Sequence, residues 1–453
     1  MFYAPAVRLR GVEVYDRPFG RVQAERLLWR AAFGPRRGDA DSFASMGLQG
    51  AVNALLQPPA FAADGPEPSS RGLPLAPQDA AGNDHLWWLD RMVRGNQPLV
   101  ERMTLVWHDW FATSNATVAS QKLMLAQNDL FRSTWNGAFS DLLLNVTQDP
   151  AMLLWLNGNR NRSGKPNENY AREMMELFTL GADNGYTEQD VREQARALTG
   201  FRNDNSRVTG PTNFRYDPRL HDNGVKTVFG QAGNFGWQDA CNLALRHAAH
   251  PAFFVRKLWG YFIPLAELDA KTQAALEQQY TSGGYRVGSV LQSILLHPAL
   301  YQGPRLVKPP VVYTAGVLRM TGRPIDTINW VSLDDSAGQR LFYPPNVAGW
   351  DDERWLDTQT FRARWAIASG AVGKFVLDAG KAPAGEITAS AILDRALGYW
   401  DTPQLTAPTL SVLTDFAQRA LDDALPKDKQ RQAVFVENAL RLLIAVSPDY
   451  QTC

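Results

Sequence analysis

Apolar residues recur at three- and four-residue spacing in almost every segment from residue 23 to residue 446, and strands and helices nowhere alternate in the βαβ manner. Chains with that rhythm bury one stripe of each helix against its neighbours, so the expected fold is all-α, a mainly helical, multi-helix body. Two segments break the rhythm. Residues 57–83 carry six prolines, at 58, 59, 66, 68, 74 and 77, with Gly, Ser and Asp between them. They read as a long Pro-rich loop or mobile lid. Residues 201–230 are rich in Asn, Asp, Arg and Gly, with strand-like pieces at 214–216 and 226–229, and supply a small irregular or β excursion. The expected organisation is an N-terminal arm and helices over 1–56, the Pro-rich loop over 57–83, a main helical domain over 84–380 that carries the polar site, and a C-terminal helical segment over 381–453.

Composition excludes several function classes. Lys and Arg number 46 against 46 Asp and Glu, so no global field draws the chain to nucleic acid. The longest apolar runs, such as 151–156, are far too short to span a bilayer. Cys241 and Cys453 stand alone without a CxxC, which supports neither a disulfide framework nor a zinc knuckle. Met1-Phe2-Tyr3-Ala4-Pro5 runs into charged residues without an apolar core, so no export signal is visible and a cytoplasmic location is the default expectation. The 14 Trp residues point to a large aromatic core, or to a cleft that stacks flat ligands.

The densest polar run inside the helical pattern lies between residues 157 and 200. Pro166 suits a first helical turn, because its missing N–H would have no partner there, and Gly181 suits the left-handed residue that closes a helix. Between them Tyr170, Met174, Leu177 and Phe178 form the buried stripe, while Glu168, Arg172 and Glu176 follow at i, i+4 and i+8 with Glu173 beside them. Such a ladder neutralises itself at roughly 0.2–0.5 kcal/mol per pair. Alternatively Glu173 and Glu176 face a cavity as acid/base or metal-ligating carboxylates. Thr187-Glu188-Gln189-Asp190 then opens a second helix in the manner of a capping box, with Arg192 and Arg196 four residues apart. Two further pairs carry chemistry. His108-Asp109 ends an aromatic helix, and His221-Asp222 sits in the polar excursion, where loops held by helices tend to place sites.

The run from Asn167 through Glu173, then Glu176-Leu177-Phe178-Thr179-Leu180-Gly181, Tyr186-Thr187-Glu188 and Ala195-Arg196-Ala197-Leu198-Thr199-Gly200-Phe201 resembles a large bacterial family known only as domain of unknown function number eighteen hundred. His221-Asp222 with Lys226-Thr227, Arg256-Lys257-Leu258-Trp259 and the turn from Pro344 to Trp350 extend the resemblance, in order, over residues 25–368. The resemblance implies a helical protein, often exported, commonly encoded beside an uncharacterised sulfatase-like protein that is a candidate partner. It assigns no activity. The family usually places a His directly before the Phe that matches Phe111; here that position is Trp110, with His108 two residues earlier.

Two functions follow from these residues. In the first the chain is a pocketed enzyme, a hydrolase acting on an anionic or sugar-like small molecule. Glu173, Glu176, His221 and Asp222 are then catalytic; Asn167, Glu168, Arg172, Arg192 and Arg196 bind substrate; and His108, Asp109 and His221 would hold a divalent metal. In the second it is a non-catalytic binding or scaffolding protein, whose Glu, Arg and Asn cluster is a structural network. A surplus of carboxylates over cations favours the first, a balance the second.

Overall fold

A computed structural model describes residues 8–9, 11–378, 380 and 385–453, so residues 1–7 and 10 of the expected N-terminal arm lie outside the described residues. Helices dominate, as the periodicity requires, and the strands form only small antiparallel pairs. The chain packs as two units. The first comprises Met1–Asp16, Val100–Ala299 and Leu341–Trp350; the second comprises Arg17–Leu99, Leu300–Arg340 and Asp351–Cys453.

The core of the first unit is aromatic. The helix Pro98–Trp110 brings Trp107 and Trp110 to one side at i and i+3, and Phe111 follows directly. Phe111 meets Phe178 at 5.0 Å between ring centroids, Phe139 lies 5.1 Å edge-on from Phe254, and Phe254 stacks on Tyr280 at 3.9 Å. Trp88, Trp107, Trp110, Trp259, Trp330 and Trp400 are all under 2% exposed, so much of the Trp content serves packing, at about 1.5–3 kcal/mol or more per buried ring. Local signals set several helix starts. Asp149 accepts from Met152 N ahead of Pro150–Trp155, and Thr187 exchanges hydrogen bonds with Asp190 at the start of Glu188–Ala197. The β excursion is two hairpins, Phe201–Ser206 with Gly210–Tyr216 and Lys226–Val228 with Gln231–Gly233.

In the second unit the helices Asn83–Arg94, Pro310–Thr321, Asn329–Ser336 and Thr358–Gly373 pack together, with a buried His85–Asp334 pair at 3.0 Å joining the first and third of them. Trp29 lies so close to the Pro310–Thr321 helix that a Cβ on Gly316 would sit 2.3 Å from its ring. Two short helices, Asp39–Ser45 and Gly47–Leu56, follow the helix Arg21–Ala31, separated where Gly47 takes φ +67°. The Pro-rich segment is tied down at intervals. Gln97 donates to Pro59 O, Asp64 N to Arg94 O and Ser69 N to Ile325 O, and Arg94 pairs with Glu67. The C-terminal helices run Ala389–Tyr399, Ala407–Asp422 and Lys429–Val446.

Candidate functional site

The helix expected from Pro166 to Gly181 starts later and changes pitch. Its α-helical part is only Asn169–Glu173, and from Met174 to Thr179 it is a π-helix. Asn161 sets the entry: its side chain accepts from Asn167 N and donates to Ala195 O, both at 2.8 Å, and Asn167 in turn accepts from Asn169 N at 3.0 Å. Asn167 thus acts as a local turn residue. The π turn ends with Leu180 N and Gly181 N both donating to Met175 O, and Gly181 takes φ +91°. Three consecutive carbonyls at that end are met by side chains from elsewhere. Lys257 Nζ donates to Leu177 O at 2.8 Å, Trp110 Nε1 to Phe178 O at 3.0 Å, and His250 Nδ1 to Thr179 O at 2.9 Å. π turns inside helices are frequent at functional sites.

Along the exposed side of this segment the charges are unequally paired. Arg172 makes a two-pronged contact with Glu188 at 2.7 and 2.8 Å and reaches Glu168 and Glu176, each at 3.3 Å. These hydrogen bonds, Glu188 foremost, raise the guanidinium further, and the same contact holds the exposed Glu188 carboxyl below its usual range. Arg192 is 59% exposed and, among the described residues, pairs only with Glu168, at 4.0 Å. Glu173 differs from its neighbours. It is half-buried, no hydrogen bond or ion pair reaches it among the described residues, and burial, then the charge of Glu176, push its carboxyl up against a weaker pull from Arg172. Four carboxylates, Glu168, Glu173, Glu176 and Glu188, therefore face two arginines, and the one left over sits where the α-helix gives way to the π turn.

His221 and Asp222 belong to a second cluster. Arg196 lies eight residues beyond Glu188 on the same helix, about 12 Å along its axis. It holds Asp222 at 2.8 and 3.2 Å and Glu193 at 2.8 Å, and this pairing drives the Asp222 carboxyl down to about 2. Gly224 N takes another Asp222 lone pair. His221 Nδ1 donates to Thr199 O at 2.9 Å, and its Nε2 faces Lys226 Nζ at 3.4 Å. Lys226 itself is fully buried, its ammonium held by the carbonyls of Asp222 and Phe235 and by Asn234. An ionised, saturated Asp222 is a poor proton carrier; the pair organises its loop.

His108 and Asp109 serve a third arrangement. His108 Nε2 accepts from Phe342 N at 3.1 Å, and burial pulls the imidazole down to about 3, so it stays neutral. Asp109 accepts from Trp350 N at 3.0 Å and Tyr261 OH at 2.7 Å. Together they seat the turn at 341–350. The expected metal set of His108, Asp109 and His221 is thereby divided between two networks, and no three His, Cys, Asp or Glu side chains among the described residues are grouped to hold a metal ion.

Sequence reasoning passed over Lys257 and Tyr261. Burial lowers the Lys257 amine to about 8, with Asp109 pulling the other way, and the ammonium lies 4.7 Å from the Trp110 ring centroid. The available signal was the four-residue step from Lys257, inside Arg256-Lys257-Leu258-Trp259, to Tyr261 just beyond it.

These polar groups all lie inside one matched stretch. The profile described as "Protein of unknown function (DUF1800)" matches residues 26–452. The chain belongs to the DUF1800 family. No curated protein and no solved structure matches it. Within this DUF1800 chain the arrangement best equipped for chemistry is the carboxylate pair. Glu176 is paired with an arginine and Glu173 is not, and two carboxyls in opposed environments are the usual basis for dividing acid and base roles.

Proposed function

We propose that the chain is a hydrolase working by acid–base chemistry at the α-to-π junction, on a glycoside or ester that carries an anionic group. Glu173 is the general acid, because a half-buried carboxyl with no cation partner retains its proton more readily than its neighbours. Glu176 is the paired carboxylate that activates water or attacks directly. Arg192, the least engaged cation of the cluster, meets the anionic group of the substrate. The observation that carries this reading is the unpaired Glu173 beside the paired Glu176. A bound divalent cation would have to draw Glu176 away from Arg172 and would need further ligands from substrate or water.

The other reading is a binding or scaffolding protein. It is favoured by the saturation of Arg172 and Arg196, each of which holds two or more carboxylates. A panel of chromogenic glycosides, carboxylic esters, and phosphate and sulfate esters, run with and without added divalent metal, separates the two. The hydrolase reading expects turnover on at least one anionic member, with KM raised in Arg192→Gln. No turnover on any class, with and without metal, would move the conclusion to the binding protein.

A further inference from the structure

The second unit encloses, partly open to solvent, a cavity of about 50 Å3 whose walls include Glu25, Arg26, Trp29, Arg305, Lys308 and Tyr450. A space of that size holds about three to five water-sized groups. Lys308 is 1% exposed; its Nζ donates to Tyr450 O at 2.7 Å and lies 3.4 Å from the Trp29 ring centroid. Burial lowers the amine to about 7, while Cys453 and then Glu25 pull the other way and Arg305 and Arg364 add to the lowering; burial also raises the Glu25 carboxyl. Two donors on the cavity wall, Arg26 Nε and the hydroxyl of Tyr450, are buried and have no hydrogen-bond partner. Buried orphan donors are rare in folded proteins and call for an acceptor.

An amine deep in the unit, a space only a few atoms wide, and two spare donors beside Arg305 make a receptor for a small carboxylate attached to the amine itself. The geometry points to Lys308 as a carbon dioxide site, where Nζ forms a carbamate inside this cavity. The lone pair of the neutral amine attacks the carbon of CO2; the N–C bond forms while one C–O π pair moves onto oxygen. One N–H proton leaves to the carboxylate of Glu25 and from there to water. The product is Nζ–COO−, with one proton released and no change of oxidation state. Its two oxygens place an anion beside the spare donors of Arg26 and Tyr450 and beside Arg305, which also holds Asp449 at 3.1 Å, where charge-assisted hydrogen bonds are strongest. Sugars and longer aldehydes exceed the space; a linear three-atom molecule does not. This inference is independent of the acid–base reading, since it uses no residue of that site.

The test is trapping on the intact protein. The chain is equilibrated with 13C-bicarbonate, alkylated with triethyloxonium to fix carbamates, and mapped by peptide mass spectrometry. The expected result is one labelled lysine, Lys308, with label lost when the sample is purged of CO2 before alkylation. Arg305→Gln is expected to lower the trapped fraction about tenfold or more. Label confined to exposed lysines such as Lys374, or none on Lys308 at saturating bicarbonate, overturns the proposal. Unlabelled Lys308 with a bicarbonate-dependent rise in melting temperature would assign the cavity to a non-covalent anion instead.

Discussion

Gly349 takes φ +95°, and a Cβ built there would lie 2.2 Å from Asp109 Oδ1 and 2.9 Å from its Cγ. Gly349→Ala therefore meets two penalties. An L-residue in the left-handed region costs about 1–2 kcal/mol. The carboxylate of Asp109 must also swing away, losing its bond from Trp350 N or from Tyr261 OH. A hydrogen bond to a charged group contributes about 1.5–3 kcal/mol. The combined loss is about 3–5 kcal/mol, or roughly 10 °C in melting temperature at ~2–4 °C per kcal/mol for a unit of this size. The control is Gly210→Ala, in the same unit, where φ is +68° but nothing lies within 4 Å of the added Cβ. It should lose only the backbone part. Scanning calorimetry of both variants beside the parent reads the difference. If Gly349→Ala is no less stable than Gly210→Ala, Asp109 does not anchor the turn at 341–350, and the structural role given to it here is wrong.

Two further outcomes follow from charge. Asp222 has its carboxyl depressed to about 2 in the folded chain, so its contribution to stability is full above the ordinary aspartate range and fades as pH falls from about 4 toward 2. Asp222→Asn should therefore be less stable than the parent at pH 7, with the gap closing on acidification in urea titrations; a gap constant with pH would contradict the Arg196 pairing. Lys257 has its amine lowered to about 8, which means the folded chain binds that proton less tightly than the unfolded one. Parent stability should accordingly gain from pH 8 to about 10.5 a component worth about 3 kcal/mol, at ~1.4 kcal/mol per pH unit, and Lys257→Met should lack that component. Identical pH slopes for the two proteins would show that Lys257 is not buried as described.

What the sequence revealed and what it hid divide along the range of the interactions involved. The capping box at Thr187 was legible because it closes within three residues. The helical class was legible because apolar spacing repeats through nearly the whole chain. The π turn was not, since Met174, Met175, Phe178 and Thr179 present the same buried pattern in either pitch. His108 offered an imidazole next to a carboxylate, and only the fold shows that its acceptor nitrogen is taken by Phe342 N, 234 residues away. Lys257 was hidden for the same reason, because the ring it packs on, Trp110, and the carbonyl it caps, Leu177, come from distant segments. The Arg172 ladder was visible as a ladder; that Glu173 would be the member left unpaired depends on how the helix turns into the π segment and on Glu188 arriving from the next helix.

Glu173→Gln is the most direct test of the acid–base site, with turnover on the best substrate of the panel and melting temperature measured on the same sample. The parent, with a raised carboxyl, is relatively more stable at low pH and loses that advantage as pH rises through the folded value. Removing the charge at pH 7 should thus leave the melting temperature unchanged or higher. Removing the proton donor should cut turnover by about 100-fold or more. That split, activity lost with stability kept, is the predicted result. Turnover retained would remove Glu173 from the chemistry, and a melting temperature lowered by several degrees would make it part of a structural network.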